Sequence, residues 1–497
     1  MLDNKGNANW HGPALPTLTT ASAGWISTGT GNGRLTPGGT LSCLAGHRIA
    51  GRHGEDGVYA GWTWDGRELR IEQDRYGLFP LFRWSSPDGS HLSTDLLTLL
   101  ELGADTALDF DALSVFLRLG FFVGADTPFS SIRAALPERV AVAAAPQSRR
   151  AAVDGYIDLF RQAIRRRLPA APFVLPLSGG RDSRHILYEL VHAGYPPARC
   201  VTVRHFPPRG NADAEIARAL CERLGIPHVV LGQPRDRIAT ERRKNPLTHF
   251  CTEEHAQFLI LAEYLSASTA ETYDGIAGDV LSQSSYANSE LLELFRRGDV
   301  GGAAELILRG HGNVVSERAL SRLVAPRLHA RLSRARAVER LTRELATHLH
   351  AVNPIASFYF WNRTRREIAL APYGLLRATR TFAPYLDHDL FDFLCSLPPE
   401  LTLDRTLHTE AIATAFPTST DVGYEQRTER NEDAAAERRL ARGLFVMLGN
   451  GRGRRLLNRR GLFPSIAWTM VTGSTRRLWN VPFTIWLDQV GAVVEPD

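Results

Sequence analysis

The strongest chemical signal in the sequence is one short run, LSGGRDS, at Leu177–Ser183. Its adjacent glycines, Gly179 and Gly180, let backbone N–H groups converge on an anion because no Cβ blocks the approach. The hydroxyls of Ser178 and Ser183 can donate to the same oxygens. A helix that starts at Ser183 would add unpaired N–H groups and the positive end of its dipole. The run therefore predicts a pyrophosphate site; the alternative is a tight turn between a strand and a helix.

Two aspartates in glycine-containing runs predict a metal ion beside that anion. A bare phosphate would repel Asp182, so its place in the loop indicates Mg²⁺ between the carboxylate and the phosphate oxygens. A second run, YDGIAGDVLS, contains Gly275 and Gly278, which permit close backbone approach, and Asp279, a second oxygen ligand. The alternative for Asp279 is a helix N-cap. The sequence lacks a G-K-[ST] at the first loop, which excludes a Walker A site there.

A parallel sheet is needed to bring the two runs together, and the surrounding pattern predicts one. Apolar strands alternate with amphipathic helices, which is typical of βαβ units whose strand carboxyl ends bind ligands. The predicted elements are a helix at 156–167, a strand at 173–177, a helix at 183–193, a strand at 200–205, a helix at 213–224, a strand at 228–231, a helix near 254–266 and a strand at 271–273.

The chain before this region has a different pattern. Residues 1–40 are rich in Gly, Ser, Thr and Pro and are predicted to be loops. Residues 57–95 alternate in short runs, with hairpin signals at Asp65-Gly66 and Asp88-Gly89. Asp109 suits the N-cap of a short helix that ends at Gly120. The part beyond the last predicted strand is expected to be mainly helical. We predict three parts, 1–145, 150–420 and 421–497.

Four segments of the chain resemble the asparagine synthetase-like amide ligases. LSGGRDS resembles their SGGxDS pyrophosphate loop, and YDGIAGDVLS resembles their second, SGEGxDE-type loop. The stretches 211–230 (NADAEIARALCERLGIPHVV) and 380–401 (RTFAPYLDHDLFDFLCSLPPEL) match in the order the family requires. The resemblance, over about residues 55–417, implies an α/β PP-loop synthetase domain, of the adenine nucleotide alpha-hydrolase type, that converts ATP to AMP and pyrophosphate. It also implies that the backbone at Leu177 and Val203 holds adenine.

The N-terminal part resembles the glutamine amidotransferase domain of the same family. DRYGLFPLFRW (74–84) and STD (93–95) carry this resemblance, which implies an Ntn-type αββα fold. That domain's glutaminase needs a cysteine directly after the initiator Met, whereas position 2 is Leu2 and the first cysteine is Cys43. The alternative is cleavage that exposes Cys43, but no cleavage site is evident in the sequence. Phe79 replaces the usual Arg. The resemblance therefore implies a degenerate domain without glutaminase activity, with nitrogen from ammonia or a substrate amine, as in β-lactam synthetases and lasso-peptide cyclases.

The resemblance fails at one further position, the family's catalytic lysine. The corresponding region reads RTLHTEAIATAFP (405–417), so His408 stands in its place, and the chain's lysines are Lys5 and Lys244. Either an arginine supplies the charge, or His408 acts as a cation or acid, or acyl transfer is altered. The arginine candidates are Arg405 and the three of WNRTRRE: Arg363, Arg365 and Arg366. Arg181, inside the first loop, is expected to contact substrate or nucleotide; the alternative is a solvated side chain.

The composition of the chain limits the class of protein to which it can belong. Apolar residues make up 44% and charged residues 22% of 497, and the five scattered cysteines argue against a disulfide framework. The sequence has no signal-peptide pattern and no run near the roughly 20 apolar residues of a membrane span, so a cytoplasmic protein is expected. The Arg-rich stretch 438–460 reads as a solvated face or a docking surface for an acidic partner rather than a nucleic-acid site. A homodimer is compatible with the sequence.

The leading hypothesis from the sequence is an ATP- and Mg²⁺-dependent, AMP-forming amide ligase that joins a small-molecule or peptide carboxylate to an amine. Two alternatives stay open: an intramolecular macrolactam cyclase, and a degenerate nucleotide-binding scaffold that works through a partner.

Overall fold

The computed structural model describes residues 24–31, 34–145, 147–284, 286–310, 315–419, 421–425, 433–450, 455–478 and 480–494. Across these ranges no helix has both the length and the apolar character needed to cross a membrane.

Two antiparallel sheets form the N-terminal part. Their strands are β1 (Trp25–Gly31), β2 (Arg34–Gly39), β3 (Ser42–Gly51), β4 (Gly54–Trp64), β5 (Leu69–Gln73), β6 (Phe82–Ser86), β7 (Gly89–Ser93) and β8 (Ile132–Ala134). One sheet has the order β2-β1-β7-β6-β8 and the other β3-β4-β5. Both predicted hairpins are confirmed, and at the first of them Asp65 Oδ1 accepts hydrogen bonds from the N–H groups of Arg67 and Glu68. The Ntn-type arrangement stays a prediction.

The prediction of loops over residues 1–40 is wrong for β1 and β2. β1 pairs with β7, with Ile26 opposite Leu92, and both side chains are buried. This pairing with a strand distant in sequence overrides the weak strand propensity of the Gly/Ser/Thr-rich residues. The part of the expected loop region before residue 24 lies outside the described residues.

Two short helices, α1 (Leu96–Glu101) and α2 (Phe110–Leu119), complete this part. Asp109 caps α2 as predicted, because its Oδ1 accepts hydrogen bonds from the N–H groups of Asp111 and Ala112. Gly120 ends α2 with φ 86°, a left-handed conformation that favours glycine.

The middle of the chain forms the predicted α/β arrangement. Its elements are α3 (Arg149–Arg165), β9 (Val174–Pro176), α4 (Asp182–His192), β10 (Arg199–Val203), α5 (Ala212–Leu224), β11 (His228–Leu231), α6 (Arg237–Leu247), α7 (Leu259–Ser268), β12 (Glu271–Tyr273), α8 (Gly278–Ser282) and β13 (Arg380–Phe382). Strands β11-β10-β9 pair in parallel, as do β12 and β13. The Thr272 hydroxyl donates to Val174 O at 2.7 Å, which places β12 beside β9. The loops after β9 and β12 therefore lie at one edge.

Helices make up the rest of the described chain, as predicted. They are α9 (Ser289–Arg296), α10 (Val300–Gly310), α11 (Glu317–Leu323), α12 (Pro326–Arg331), α13 (Arg334–Ala346), α14 (Pro354–Tyr359), α15 (His388–Ser396), α16 (Leu407–Ala415), α17 (Ala434–Asn450), α18 (Arg459–Thr472) and α19 (Val481–Val494). A π-helical stretch, Phe360–Ile368, follows α14 and carries the WNRTRRE arginines.

The three predicted parts share buried contacts. Trp486 of α19 packs against Phe116 of α2 with ring centroids 4.8 Å apart, and its indole N–H donates to Phe250 O. Arg365 and Arg366 donate from the π-helical stretch to backbone carbonyls of the N-terminal part. The domain boundaries stay predictions, but helix α19 and the π-helical stretch both pack across them.

Candidate active site

The LSGGRDS run folds as a loop between β9 and α4. The Ser178 N–H donates to Ser183 Oγ at 3.1 Å, and the Gly180 N–H donates to Ser178 Oγ at 3.2 Å. No side chain caps the start of α4 at Arg181. The two serine hydroxyls and the start of a helix therefore surround the same small volume, as a pyrophosphate loop requires.

An acidic side chain that the sequence analysis did not single out, Asp213, accepts a hydrogen bond from an N–H group of this loop. Asp213 Oδ1 accepts a hydrogen bond from the Gly179 N–H at 2.6 Å, and its Oδ2 lies 3.2 Å from His205 Nε2. A carboxylate at this position demonstrates that the Gly179 N–H is aimed at an anion. The available signal was an acidic residue in the first turn of the helix after the second strand.

The second loop approaches the first so closely that only glycine fits at two positions. A Cβ on Gly275 would lie 2.6 Å from Asp182 Cβ, and a Cβ on Gly278 would lie 2.6 Å from Asp182 Oδ1. Both glycines therefore act through the close approach that the sequence predicts. Between them, Ala277 has φ 75°, which is a left-handed conformation and unusual for a residue with a side chain.

Three carboxylates meet where the loops approach. Burial, and then the charges of Asp279 and Asp274, raise the pKa of Asp182 well above its usual range. Asp182 Oδ1 is buried and has no hydrogen-bond partner among the described residues. Burial also raises the pKa of Asp274 to about 6, although Asp274 Oδ1 accepts from the Ile276 N–H. Carboxylate oxygens are hard ligands, and a cluster of them that is buried in this way fits a divalent cation such as Mg²⁺. Asp274 is a second residue that the sequence reasoning missed.

A cavity of about 430 Å³ joins these features. Its lining includes eight of the predicted site residues: Leu177, Ser178, Asp182, Ser183, Val203, Gly275, Asp279 and Arg363. Gly179, Gly180 and Gly278 belong to the same loops but are not among the lining residues. The structure therefore brings together both loops, the proposed adenine contacts and one candidate arginine.

Arg363 lines the same cavity as the two loops. Its Nε donates to Glu367 Oε2 at 3.0 Å, and its Nη2 lies 3.9 Å from Glu254 Oε2. The guanidinium carbon is 5.1 Å from the centre of the Tyr286 ring. Burial raises the pKa of Glu367 to about 8. Arg363 is thus held in place by its neighbours and keeps its charge at the cavity.

The other candidate cations lie elsewhere. Arg365 donates to Gly77 O and Ala135 O, and Arg366 donates to Asp126 O, so both are committed to the N-terminal part. Arg405 is exposed, has φ 60° and donates to Ala287 O at 3.2 Å. Arg181 turns away from the cavity: its Nε donates to Thr409 Oγ1 at 2.6 Å and its guanidinium lies over the Tyr424 ring. Arg181 is not among the residues that line the cavity, and its expected contact with substrate or nucleotide stays a prediction.

His408 lies directly behind the carboxylates. Its Nδ1 is 3.4 Å from Asp182 Oδ1 and 3.1 Å from Ser282 Oγ, and the side chain is fully buried. Burial, with a smaller effect of Arg181, lowers the pKa of His408 to about 3. Burial therefore favours the neutral imidazole, and the role of His408 as a cation or acid stays a prediction.

A short segment from after α16 covers the first loop. The Glu425 N–H donates to Gly179 O at 3.1 Å, and Glu425 also lines the cavity. Arg184 of α4 holds this segment by donating to Val422 O and Gly423 O, each at 2.6 Å. Nothing in the sequence pattern predicts this contact, because the residues lie more than 200 positions apart.

The family comparison agrees with this geometry. A family model described as asparagine synthase matches residues 155–270, which contain the LSGGRDS loop, Asp213 and the strands β9 to β11. This segment is similar to the asparagine synthase family. The match confirms the resemblance read from the motifs and supports an ATP-using enzyme of the ligase type. The asparagine synthase segment stops just before β12, so Asp279 and Arg363 lie outside it.

Two further comparisons concern solved structures and curated proteins. Among solved structures the chain is similar to an NMN synthetase from Francisella tularensis, with 17% identity over 40% of this chain and 93% of that chain, at a TM-score of 0.21. A TM-score this low supports no argument about the fold. The comparison with curated proteins gives no match.

Proposed function

We propose that this chain is an ATP-dependent, AMP-forming amide ligase that activates a carboxylate as its acyl-adenylate. One observation carries the proposal: Asp182 and Asp279, from two different loops, line the same cavity as the pyrophosphate loop. The buried Asp182 Oδ1 without a hydrogen-bond partner gives it further support. The ATP-using ligase class rests on the family match, whereas the adenylate and the metal ion belong to the proposal.

In this proposal different residues of the chain bind the adenine and the phosphates of ATP. The backbone at Leu177 and Val203 holds adenine, while Ser178, Gly179, Gly180 and Ser183 donate to pyrophosphate. Asp182 and Asp279 would hold Mg²⁺, which when bound neutralises part of the phosphate charge. Binding of the nucleotide's phosphates requires the Gly179 N–H to exchange its bond to Asp213 for one to a phosphate oxygen.

The chemistry proceeds in two half-reactions. A substrate carboxylate oxygen attacks the α-phosphorus of ATP, and the bond to the β-phosphate bridging oxygen breaks, which releases pyrophosphate. An amine then attacks the acyl carbon, loses a proton and displaces AMP. Arg363 faces the cavity where negative charge develops and provides the electrostatic stabilisation for which the family uses lysine.

The nitrogen donor in this proposal is a substrate amine or ammonia rather than glutamine. Cys43 is the first cysteine, and it lies within β3, opposite Trp62 of β4. Cleavage before Cys43 would remove β1 and β2 from the sheet that β7 continues. Burial also raises the pKa of the Cys43 thiol, which makes it a poor nucleophile.

The first test is product analysis. Incubation with ATP, Mg²⁺ and a panel of carboxylic acids and amines should release AMP and pyrophosphate. Release of ADP and phosphate instead would contradict adenylation. Turnover only with a peptide that carries both reacting groups would identify the cyclase alternative. Tight ATP binding without AMP release from any acid would favour the scaffold.

The second test addresses the metal-binding carboxylates. Asp182→Asn should lower the rate of AMP release by at least about 100-fold. It should leave the thermal midpoint unchanged or higher, because it places a neutral amide where burial and the charges of Asp279 and Asp274 disfavour a carboxylate. Asp154→Asn, at an exposed position of α3, is the matched control and should have no effect on activity. An Asp182→Asn enzyme with normal turnover would refute the metal assignment.

A further inference from the structure

A cleft of about 700 Å³ lies where the C-terminal helices meet the middle of the chain. Helix α11 forms one wall, and α18 with the short turn Thr475–Arg477 forms the other. Five arginines line this arginine cleft: Arg318, Arg322, Arg460, Arg476 and Arg477. Among the described residues that line it, none is acidic.

Backbone contacts fix the two walls against each other. The Asn458 N–H donates to Leu323 O at 2.8 Å, and the Asn458 side-chain amide donates to Ser321 O at 2.8 Å. A Cβ on Gly461 would lie 2.5 Å from Arg322 O, so α18 can approach α11 this closely only with glycine there. The separation of the arginines is therefore set by packed helices.

No ion pair neutralises the five arginines of the cleft among the described residues. Neighbouring arginines behave differently: Arg118 pairs with Glu317 at 2.8 Å, and Arg334 lies 3.5 Å from the same carboxylate. The cleft arginines are exposed. Their like charges repel one another, and an anionic ligand would relieve this repulsion.

The excess positive charge of the whole chain is concentrated in this region. Residues 433–494 contain ten arginines and three acidic residues, whereas the complete chain has a net charge of only +5. The remainder of the chain therefore carries no net positive charge. A ligand attracted by charge alone would be directed to the C-terminal helices.

The surface beside the cleft favours a peptide over a nucleic acid. Two exposed apolar side chains lie further along α18, one and two helical turns beyond the cleft residue Pro464: Trp468 is 42% exposed and Val471 is 77% exposed. The guanidinium of Arg477 lies 4.3 Å from the centre of the Trp468 ring and covers that face. A nucleic-acid base would need this face for stacking, whereas an aliphatic side chain needs only the exposed apolar surface of these two side chains.

We propose that the arginine cleft docks an acidic peptide segment, whose carboxylates pair with the arginines while an apolar side chain contacts Val471 and the edge of Trp468. This docking site is separate from the ATP cavity and does not depend on the chemistry proposed there.

Fluorescence anisotropy with a short labelled peptide of alternating Glu and Leu tests the proposal on the full chain. The peptide should bind, and added salt should weaken the binding because exposed charges are screened. The double variant Arg318→Glu with Arg476→Glu, one from each wall, should bind at least about tenfold more weakly. The matched control, Arg439→Glu with Arg442→Glu on the exposed side of α17, changes the net charge equally and should bind as the wild type does.

Three outcomes would overturn the proposal. The first is that the peptide does not bind the wild-type chain. The second is that the control variant loses as much affinity as the cleft variant, which would indicate a non-specific attraction between the peptide and the net positive charge. The third is that a single-stranded oligonucleotide of equal charge binds more tightly than the peptide. Circular dichroism of both double variants shows whether either has lost its fold.

Discussion

At the residue scale, the proposed ligase needs a cation at the position where the family that the chain resembles has a lysine. The sequence leaves Arg405, His408 and the three arginines of the WNRTRRE segment as candidates. The structure aims only Arg363 of this group into the cavity that holds both loops. Its bond to Glu367 fixes the guanidinium, so little reorganisation is needed as charge develops.

Arg363→Ala should therefore lower kcat for AMP release by about 10²- to 10³-fold, the usual cost of losing one group that stabilises the transition state. Arg363→Lys should retain more activity than Arg363→Ala because it keeps the charge. Arg405→Ala is the control, since Arg405 is exposed and donates to Ala287 O, and should leave kcat near the wild-type value. An equal loss in Arg405→Ala and Arg363→Ala would contradict this assignment.

At the element scale, the loop before α8 contains a local conflict between residue type and backbone at the site. Ala277 has φ 75° between two glycines that approach Asp182. The left-handed conformation costs a residue with a Cβ about 1–2 kcal/mol. The loop accepts this cost because it aims Asp279 at the cavity.

Ala277→Gly should consequently be nearly neutral for stability. Relief of the left-handed strain offsets the lost methyl burial and the greater chain entropy of glycine, each of which costs about 1 kcal/mol or less. Ala214→Gly, a buried alanine within α5, should destabilise by about 2 kcal/mol because no strain is relieved. Urea unfolding of both variants measures the difference. A cost for Ala277→Gly as large as for Ala214→Gly would show that the loop is unstrained.

At the scale of the whole molecule, the N-terminal sheets and the α/β part are joined by buried polar contacts. Arg365 and Arg366 donate to backbone carbonyls across this boundary. His47 of β3 packs edge-on against Phe382 of β13, with ring centroids 5.3 Å apart. Burial, and then the charges of Arg380 and Arg167, lower the pKa of His47 from 6.5 to about 4. The boundary therefore favours a neutral imidazole.

This contact predicts a pH dependence of stability. Below pH 6.5 the unfolded chain binds a proton at His47 while the folded chain stays neutral until about pH 4. The stabilisation from the neutral form is therefore complete above pH 6.5 and decreases as the pH falls toward 4, by up to about 1.4 kcal/mol per pH unit.

His47→Gln removes this dependence. The free energy of unfolding of the wild type, relative to that of the variant, should therefore decrease when the pH is lowered from about 7.5 to about 5. Urea unfolding at both pH values measures this difference. His53→Gln is the control, because the His53 side chain is 71% exposed and lies in the turn between β3 and β4. If the difference between the wild type and His47→Gln is the same at both pH values, the imidazole does not titrate as proposed.

The sequence alone determined the two glycine-containing loops, their aspartates and the alternation of strands and helices. These features are local: a glycine pair, a cap such as Asp109 or a hydrophobic period acts within a few residues of chain. For the same reason the bounds of β11 and β12 agree with the predicted strands at 228–231 and 271–273. The family match over residues 155–270 rests on this local information.

Only the tertiary structure decided which residues of other segments reach the site. Three arginines of one π-helical stretch face different directions, so Arg363 lines the cavity while Arg365 and Arg366 bind the N-terminal part. His408 proved to be buried behind Asp182, and Asp213 proved to bind the Gly179 N–H. Burial and charge at these positions depend on neighbours distant in sequence, and the pKa values that set their chemistry follow from that packing.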